Sequence, residues 1–293
     1  MPGPLTPGDA PWSDGARVEP LLNTVANRPY VMAFVAVFWI VAPAEIGWRR
    51  ACFWFVSGTA LGWLSEYSST RTGFPFGHYA YHGHLFPDEL WIGGVPPFAS
   101  VSFAVLTYFG YSIAVTLLAP LRRAGGDVVA HVTPALRRSA GVLFLGALIP
   151  TWLDTIVDPV THLGRYWMLG DIYHYVSPGW HFDVPFVNYL GWLVTCLVIV
   201  GVNQLADRRL APAPGSQTPR NRLPMQPFWS LGTMVGDMGF MLVVTLQLMG
   251  NPAVPAGTPL GALLASGVLL SAAFVLFAAA MIRRGFARPI APD

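Results

Sequence analysis

The chain has 293 residues, of which 54% are hydrophobic and only 11% are charged, and its mean hydropathy is +0.50. This balance excludes an ordinary soluble globular domain and indicates a polytopic protein of a lipid bilayer. The formal net charge of +2 says little about partners, and we expect no nucleic-acid partner.

The predicted order along the chain is a polar tail, one transmembrane domain and a second short tail. Residues 1–28 form the first tail, which lacks the basic start and apolar core of a signal peptide. The transmembrane domain covers 29–282, and the C-terminal tail covers 283–293. A helix needs roughly 20 apolar residues to cross a hydrocarbon core of about 30 Å. Seven spans are predicted: Pro29–Gly47, Ala51–Ser69, Phe98–Leu121, Gly141–Pro159, Pro185–Ala206, Pro227–Gly250 and Pro259–Ile282.

Arginine is distributed unevenly between the connections of these spans. The chain has no lysine, so all 17 basic residues are arginine. Most lie on one set of alternate connections, and the other set holds only Arg17, Arg28, Arg71 and Arg165. The positive-inside rule then predicts a protein of the cytoplasmic membrane with its N-terminus outside and its C-terminus in the cytoplasm. The missing lysine also excludes a retinal protein, because retinal needs a lysine amine for its Schiff base.

Two helix–loop–helix hairpins, residues 51–121 and 141–206, repeat each other in sequence. At one constant offset three segments correspond: Trp63-Leu64 with Trp152-Leu153, Trp91 with Trp180, and Val95-Pro96 with Val184-Pro185. Both copies have the same predicted orientation. The sequence therefore predicts an all-α, polytopic helical bundle with about seven transmembrane helices and a parallel internal repeat.

The loops inside the two hairpins, 72–97 and 161–184, are rich in Tyr, Trp, Pro and Gly. A belt of Tyr and Trp at the membrane edge accounts for part of this composition. The runs Phe74-Pro75-Phe76-Gly77 and Gly93-Gly94-Val95-Pro96-Pro97-Phe98 place turn residues in apolar surroundings. We therefore predict that the loops fold back over a cavity as a cap.

Three carboxylates, Glu66, Asp154 and Asp158, lie in or at the ends of predicted spans. An ionised carboxylate in a bilayer costs roughly 3 kcal/mol on insertion scales, so acids there usually serve a site or a pathway. Asp154 and Asp158 are four residues apart and share one helix face. Two carboxylates held close in a low dielectric cannot both ionise easily, which leaves a neutral acid able to donate a proton. Alternatively, the acids form a structural network with Tyr, Arg71 or Arg165.

The histidines allow a second interpretation. The spacing His78-x-x-x-His82-x-His84 could ligate iron or zinc, and His162, His174 and His181 lie in the second loop. Membrane di-iron enzymes, however, need about eight histidines on the cytoplasmic face, including adjacent His-His pairs. Here no two histidines are adjacent, and these six are predicted outside. We therefore predict no metal and no other cofactor.

Taken together, these motifs resemble the membrane carotenoid biosynthesis family. The resemblance covers about residues 30–280 and is carried by Glu66, Phe74-Pro75-Phe76-Gly77-His78-Tyr79-Ala80-Tyr81, Gly94-Val95-Pro96, Asp154, Asp158-Pro159-Val160, Tyr166-Trp167 and Val184-Pro185-Phe186-Val187-Asn188-Tyr189-Leu190-Gly191-Trp192. The family includes carotenoid 1,2-hydratases that act on γ-carotene, lycopene or bisanhydrobacterioruberin. One departure is Asp183, which occupies a position where the family often has glycine.

The resemblance implies a cofactor-independent carotenoid 1,2-hydratase, a hydro-lyase of acyclic carotenoid ends. A neutral acid would protonate the less substituted carbon of the terminal double bond, and water activated by a second carboxylate would add to the cation. The expected catalytic residues are Asp154 and Asp158, with Glu66 helping to position water. The expected substrate-binding residues are Phe74, Phe76, His78, Tyr79, Tyr81, His162, Tyr166, Trp167, Asn188 and Trp192.

The expected partners are water, the lipid bilayer and a carotene such as lycopene, γ-carotene or a longer acyclic-ended carotene. A complex with other carotenoid enzymes is a further option. Two other functions fit the same residues: a non-catalytic carotenoid-binding or photosynthetic-complex subunit, and a proton-coupled transporter that uses the same acids. Conversion of a carotene into its tertiary alcohol in vitro would separate these functions.

Overall fold

The computed structural model describes residues 15–210 and 221–290. The helices in these ranges are α1 (Gly15–Asn27), α2 (Pro29–Ile46), α3 (Trp48–Thr72), α4 (Pro97–Leu118), α5 (Pro134–Arg137), α6 (Ala140–Thr161), α7 (Phe186–Leu210), α8 (Trp229–Met249) and α9 (Leu260–Ala287). The strands are β1 (Tyr79–Tyr81), β2 (Leu121–Ala124), β3 (Asp127–Ala130) and β4 (Tyr173–Tyr175). β1 pairs with β4, and β2 pairs with β3. The predicted polytopic helical bundle is confirmed.

Seven long helices occupy the positions of the seven predicted spans. Six of them, all except α3, are long and apolar enough to cross a membrane. α3 has 25 residues, but it carries two arginines at its start and Glu66 and Arg71 near its end. At 1.5 Å per residue it still extends about 37 Å. α3 packs on α2, α4 and α7, so its polar buried stripe, which includes Glu66 and Ser69, is enclosed by protein.

Helices α3, α4, α6 and α7 form a closed ring. α3 packs on α4, α4 on α6, α6 on α7, and α7 on α3. Exchanging α3 with α6 and α4 with α7 reproduces this set of contacts. The arrangement is the one expected for two hairpins in a parallel repeat, related by an axis that runs along the bundle. α2, α8 and α9 pack around the ring.

Glycine allows the helices of the ring to approach closely. A Cβ added at Gly110 would lie 2.4 Å from the carbonyl oxygen of Gly146, and one at Gly58 would lie 2.7 Å from Cα of Ala104. Close backbone approach at small residues is how membrane helices gain packing energy, because lipid tails are as apolar as the side chains. The helices that carry the acids, α3 and α6, are therefore packed closely against α4.

The described arginine-rich connections gather at one end of the bundle. Arg50 Nη1 lies 2.5 Å from Asp207 Oδ1, and Arg137 Nη2 lies 3.4 Å from the other carboxylate oxygen. Arg122 Nη2 donates to the carbonyl oxygen of Arg288 at 2.7 Å, which joins the β2–β3 hairpin to the end of α9. The loops that contain β1 and β4 lie at the opposite end. This separation is what the predicted orientation requires, and the side of the membrane that each end faces stays a prediction.

Part of the predicted N-terminal tail is helical, since α1 covers Gly15–Asn27 and residues 1–14 lie outside the described residues. Arg28, which follows α1, is only 1% exposed. Its Nη2 lies 2.9 Å from Glu89 Oε1, and its Nη1 donates to the carbonyl oxygen of Leu169 at 2.5 Å. Because Glu89 and Leu169 belong to different loops, this buried arginine ties the start of α2 to both of them.

Candidate functional site

The two aromatic loops meet in an antiparallel ribbon that caps the bundle. In the ribbon Tyr79 of β1 lies opposite Tyr175 of β4, and Tyr81 lies opposite Tyr173. Because side chains alternate along a strand, these four tyrosines share one face, and His174 lies on the other. The loops therefore fold back over the bundle in the way that the cap prediction requires.

Glu66, near the end of α3, accepts hydrogen bonds from both tyrosines of β1. Tyr79 and Tyr81 donate to the same oxygen, Oε2, and the Tyr81 bond is 2.5 Å long. Burial raises the pKa of both hydroxyls well above the usual value near 10, and the nearby Glu66 charge raises it further. The tyrosines therefore stay protonated and act as hydrogen-bond donors.

Asp158, one turn before the end of α6, has the same relationship with β4. Tyr173 donates to Oδ1, and Tyr175 donates to Oδ2 at 2.6 Å. The Thr161 hydroxyl adds a longer bond to Oδ1 at 3.3 Å. Burial again raises the pKa of both tyrosines well above the usual value, with the Asp158 charge as the next cause. Each hairpin thus supplies one acid and one Tyr-x-Tyr strand.

Asn188, near the start of α7, bridges the two aspartates of α6. Its Nδ2 lies 2.8 Å from Asp154 Oδ2 and 2.9 Å from Asp158 Oδ2, so these two oxygens are at most 5.7 Å apart, the sum of both distances. The amide group has two hydrogens and can donate one to each carboxyl group. Asp154, Asp158 and Asn188 are all buried. The bridge holds the two carboxyl groups side by side.

Glu66, Asp154 and Asp158 line one cavity of about 210 Å³ beneath the ribbon. Helices α2, α3, α4, α6, α7 and α8 contribute to its walls together with the four ribbon tyrosines. Most of the remaining surface is apolar, including Phe34, Leu106, Leu153, Leu169 and Met241. An apolar cavity with a few converging polar groups is the usual form of a small-molecule site.

Three aromatic rings form a stacked wall at one side of the cavity. The rings of Phe103 and Trp192 have centroids 4.3 Å apart and planes 25° apart, and the ring of Phe76 follows 5.5 Å from that of Phe103. The three residues come from α4, α7 and the first loop, so the wall depends on the ring of helices. Their π faces carry partial negative charge and can attract a cation.

Nine of the predicted site residues line the cavity: Glu66, Phe76, Tyr79, Tyr81, Asp154, Asp158, Trp167, Asn188 and Trp192. Four others do not. Phe74 is 66% exposed, and the ring of His78 lies against Gly73. His162 stacks on Tyr175 with ring centroids 5.7 Å apart, and the carbonyl of Tyr166 accepts a bond from Asn251. The geometry gives no support to a substrate contact by Phe74, His78, His162 or Tyr166.

The predicted site set omitted cavity residues that the structure adds. Tyr173 and Tyr175 could have been included, because a Tyr-x-Tyr motif follows an acid in both hairpins. Phe103 carried no comparable signal. Asp237 did carry one, since it is an acid inside an apolar span, but no aromatic loop follows it and the predicted site does not include it. Asp237 of α8 lines the cavity and is 6% exposed.

The histidines of the two loops lie outside the cavity lining. His82 Nε2 and His174 Nδ1 are 2.6 Å apart, so they join the two segments of the ribbon on the face opposite the tyrosines. The backbone carbonyl of Asp171 lies 3.1 Å from the other ring nitrogen of His82. Across residues 15–210 and 221–290, no group of three or more His, Cys, Asp or Glu side chains has the arrangement of a metal site. The iron or zinc interpretation of His78, His82 and His84 thus has no ligand set in the described part of the chain.

Asp183 occupies a backbone position that explains the departure from the family motif. Its φ is 67°, and that of the preceding Phe182 is 51°. Glycine adopts a positive φ without strain, while Asp is one of the few other residues that tolerate it. The chain therefore keeps the left-handed turn before Val184-Pro185 without glycine.

Comparison with known proteins identifies the family. The chain matches the family described as carotenoid biosynthesis protein over residues 27–267. It therefore belongs to that family and has a role in carotenoid biosynthesis, as the resemblance of its motifs predicted. No curated protein and no solved structure matches the chain. The matched region includes every carboxylate, tyrosine and aromatic residue of the cavity.

Proposed function

We propose that this member of the carotenoid biosynthesis protein family is a carotenoid 1,2-hydratase, which adds water to the C1–C2 double bond of an acyclic end group. The observation that carries the proposal is the Asn188 bridge between Asp154 and Asp158, beside Glu66, in an otherwise apolar cavity. Family membership supports the carotenoid substrate. The carboxyl groups supply acid–base chemistry, and hydration of a double bond requires no redox partner.

The three carboxyl groups differ in the donors that they receive. Asp158 accepts bonds from both tyrosines of β4 and from Asn188, and Glu66 accepts bonds from both tyrosines of β1. Asp154 accepts one bond, from Asn188. Hydrogen bonds from donors favour the ionised form of a carboxyl group. We therefore assign the transferable proton to Asp154 and negative charge to Asp158 and Glu66.

In the first step the proton of Asp154 moves to C2, the less substituted carbon of the double bond. The π electron pair of C1–C2 forms the new C–H bond, which leaves a tertiary cation at C1. The Asp158 carboxylate and the π faces of Trp192 and Phe103 stabilise this cation. All these groups are positioned before the reaction, so little reorganisation opposes it.

In the second step water attacks C1. A lone pair of the water oxygen forms the C–O bond, and the water loses a proton to the Glu66 carboxylate. Glu66 then carries one proton more than before, and Asp154 carries one fewer. Return of that proton through cavity water restores both groups, and the overall reaction consumes one water and yields a tertiary alcohol.

The size of the cavity suits an end group better than a whole carotene. Sites that enclose drug-sized ligands usually measure about 300–1,000 Å³, more than the 210 Å³ found here. A carotene is a rod about as long as the hydrocarbon core of roughly 30 Å is thick. The end group would occupy the cavity while the polyene lies among the helices and the lipid. Lycopene and γ-carotene both offer such an end.

Expression of the chain in a host that accumulates lycopene tests the proposal. We expect a product heavier by one water, identified by mass spectrometry of the extracted pigments. Asp154→Asn should reduce the product about 10²- to 10⁴-fold, the usual effect of losing a catalytic acid. Asp158→Asn should reduce it about 10²- to 10³-fold, because it removes the carboxylate that stabilises the cation. Asp88→Asn, the same change at an exposed loop residue outside the cavity, is the matched control.

The possible outcomes separate the functions. Pigment that copurifies with the protein but never gains water would indicate a carotenoid-binding subunit and contradict the hydratase. If Asp154→Asn and Asp158→Asn both hydrate lycopene normally, the acid must be one of the other two carboxyl groups of the cavity, Glu66 or Asp237, and the assignment of Asp154 is wrong.

A further inference from the structure

Asp237 is the fourth carboxyl group of the cavity, and it is bound differently from the other three. It lies on α8, outside the ring of repeated hairpins, and only 6% of it is exposed. In the described part of the chain no side chain or backbone N–H donates a hydrogen bond to it. Glu66, Asp154 and Asp158 each receive at least one donor. Asp237 therefore brings an unpartnered polar group into an apolar wall.

Asp237 lies deeper in the bundle than the other acids. α6 and α8 both run from the arginine-rich end toward the loops, where Asn251 just after α8 bonds the carbonyl of Tyr166 just after α6. With a rise of 1.5 Å per residue, Asp154 lies roughly 10 Å below the loop end of α6, and Asp237 lies roughly 18 Å below that of α8. Pro150 is at a similar depth and also lines the cavity. Asp237 and Pro150 thus mark its deep end.

An apolar chain that reaches Asp237 meets an energetic barrier. A buried carboxyl group needs a hydrogen-bond partner, and in this position only water can supply one. A carotene end group has no polar atom, so it would have to displace that water and leave the carboxyl group unpaired. The end group is therefore bound more favourably closer to the loops, next to Asp154 and the aromatic wall.

We propose that Asp237 is a polar stop, a positioning residue that keeps the apolar end group out of the deep end of the cavity and so places its terminal double bond against Asp154. The proposal rests on the hydratase function for its catalytic consequence. Its binding consequence is independent of catalysis, because the stop acts on any long apolar chain in the cavity. Asp237 transfers no proton in this scheme.

The test replaces Asp237 with an apolar residue of similar size. Purified full-length protein in lipid nanodiscs is titrated with lycopene, and binding is followed by quenching of tryptophan fluorescence. Asp237→Leu should bind lycopene about five- to a hundredfold more tightly, because the cost of an unpaired carboxyl group disappears. Asp237→Asn keeps a polar group and should bind like the wild type. Thr233→Val, which removes a hydroxyl from α8 outside the cavity lining, is the control.

Kinetics distinguish a stop from simple structural damage. Removing the stop should lower both KM and kcat of Asp237→Leu. The carotene would bind more tightly, but its terminal double bond would no longer lie against Asp154. Distortion of the site would instead raise KM, and a smaller folded fraction would lower the apparent kcat without changing KM. Asp237→Asn should recover wild-type kinetics. If Asp237→Leu does not accumulate folded, Asp237→Val makes the same change with a smaller side chain and carries the same expectation.

Three results would overturn the stop. The first is unchanged or weaker lycopene binding by the apolar variants, and the second is a raised KM of Asp237→Leu. The third is loss of hydration in Asp237→Asn, which would make Asp237 a proton donor. Failure of the hydratase proposal can be distinguished from failure of the stop, because lycopene binding is measured separately from hydration. If the wild type never hydrates lycopene, tighter binding by Asp237→Leu still supports the stop, and unchanged binding still rejects it.

Discussion

Tyr79 and Tyr175 face each other across one two-stranded ribbon, yet they donate to different carboxylates, Glu66 and Asp158. Their ring centroids are 6.0 Å apart. The ribbon therefore links the acid of one hairpin to the acid of the other, and neither hairpin can complete the site alone. Each hairpin gives the cavity one carboxylate with two tyrosine donors, and the two carboxylates lie on different helices.

The first prediction concerns these tyrosine donors. Tyr79→Phe and Tyr175→Phe each remove a hydrogen bond to a buried carboxylate, a loss of about 1.5–3 kcal/mol. Both variants should unfold at lower temperature than the wild type, and their hydration rates should fall by roughly ten- to a hundredfold. Differential scanning fluorimetry and pigment assays in parallel would show this. Equal rates in wild type and both variants would mean that the tyrosines only support the cap.

The second prediction concerns the amide bridge. Asn188→Leu keeps the volume but removes the donor that joins Asp154 to Asp158, so the two carboxyl groups lose their fixed geometry. We expect hydration to fall at least about tenfold, with a smaller effect on lycopene binding, because the bridge matters for proton transfer more than for apolar contact. Thr195→Val, a change of a buried polar residue elsewhere on α7, is the control. Full activity of Asn188→Leu would show that the amide bridge is not needed for hydration.

The third prediction concerns packing. Gly110→Ala places a methyl group 2.4 Å from the Gly146 carbonyl oxygen, so α4 and α6 must move apart. The change should destabilise the bundle by about 1–3 kcal/mol. Gly232→Ala on α8 is the matched control, because its Cβ would meet nothing within 4 Å. Thermal unfolding of both variants in detergent measures the difference. If the control is as unstable as Gly110→Ala, the close contact is not the cause.

Much of this architecture could be predicted from the sequence. Apolar runs located the long helices, and the repeat of Trp and Val-Pro positions located the two hairpins. The pairing of β1 with β4 could not be predicted, because two three-residue strands separated by a whole hairpin have no local signal. Arg28 was assigned to a polar tail since its partners, Glu89 and the Leu169 carbonyl, are distant in sequence. The place of Asp237 in the cavity depends on the packing of α8 on α6, which no periodicity reveals.

The fourth prediction concerns orientation. In a variant without Cys52 and Cys196, Gly83→Cys should react with a membrane-impermeant maleimide added to intact cells, and Gly126→Cys should not. Gly83 lies in the first loop of the cap, and Gly126 lies between the arginine-rich strands β2 and β3. Permeabilised cells, in which both cysteines react, are the control. Labelling of Gly126→Cys alone in intact cells would reverse the predicted topology.

The most direct test of the central claim is hydration of lycopene by the purified protein in D₂O. The account predicts a tertiary alcohol with one deuterium bound to carbon at C2, a large loss of that product with Asp154→Asn, and no effect of EDTA. A product without carbon-bound deuterium would contradict protonation by Asp154, as would an unchanged rate in the Asp154→Asn variant. Loss of activity with EDTA and its recovery with iron would contradict the whole acid–base account in favour of a metal.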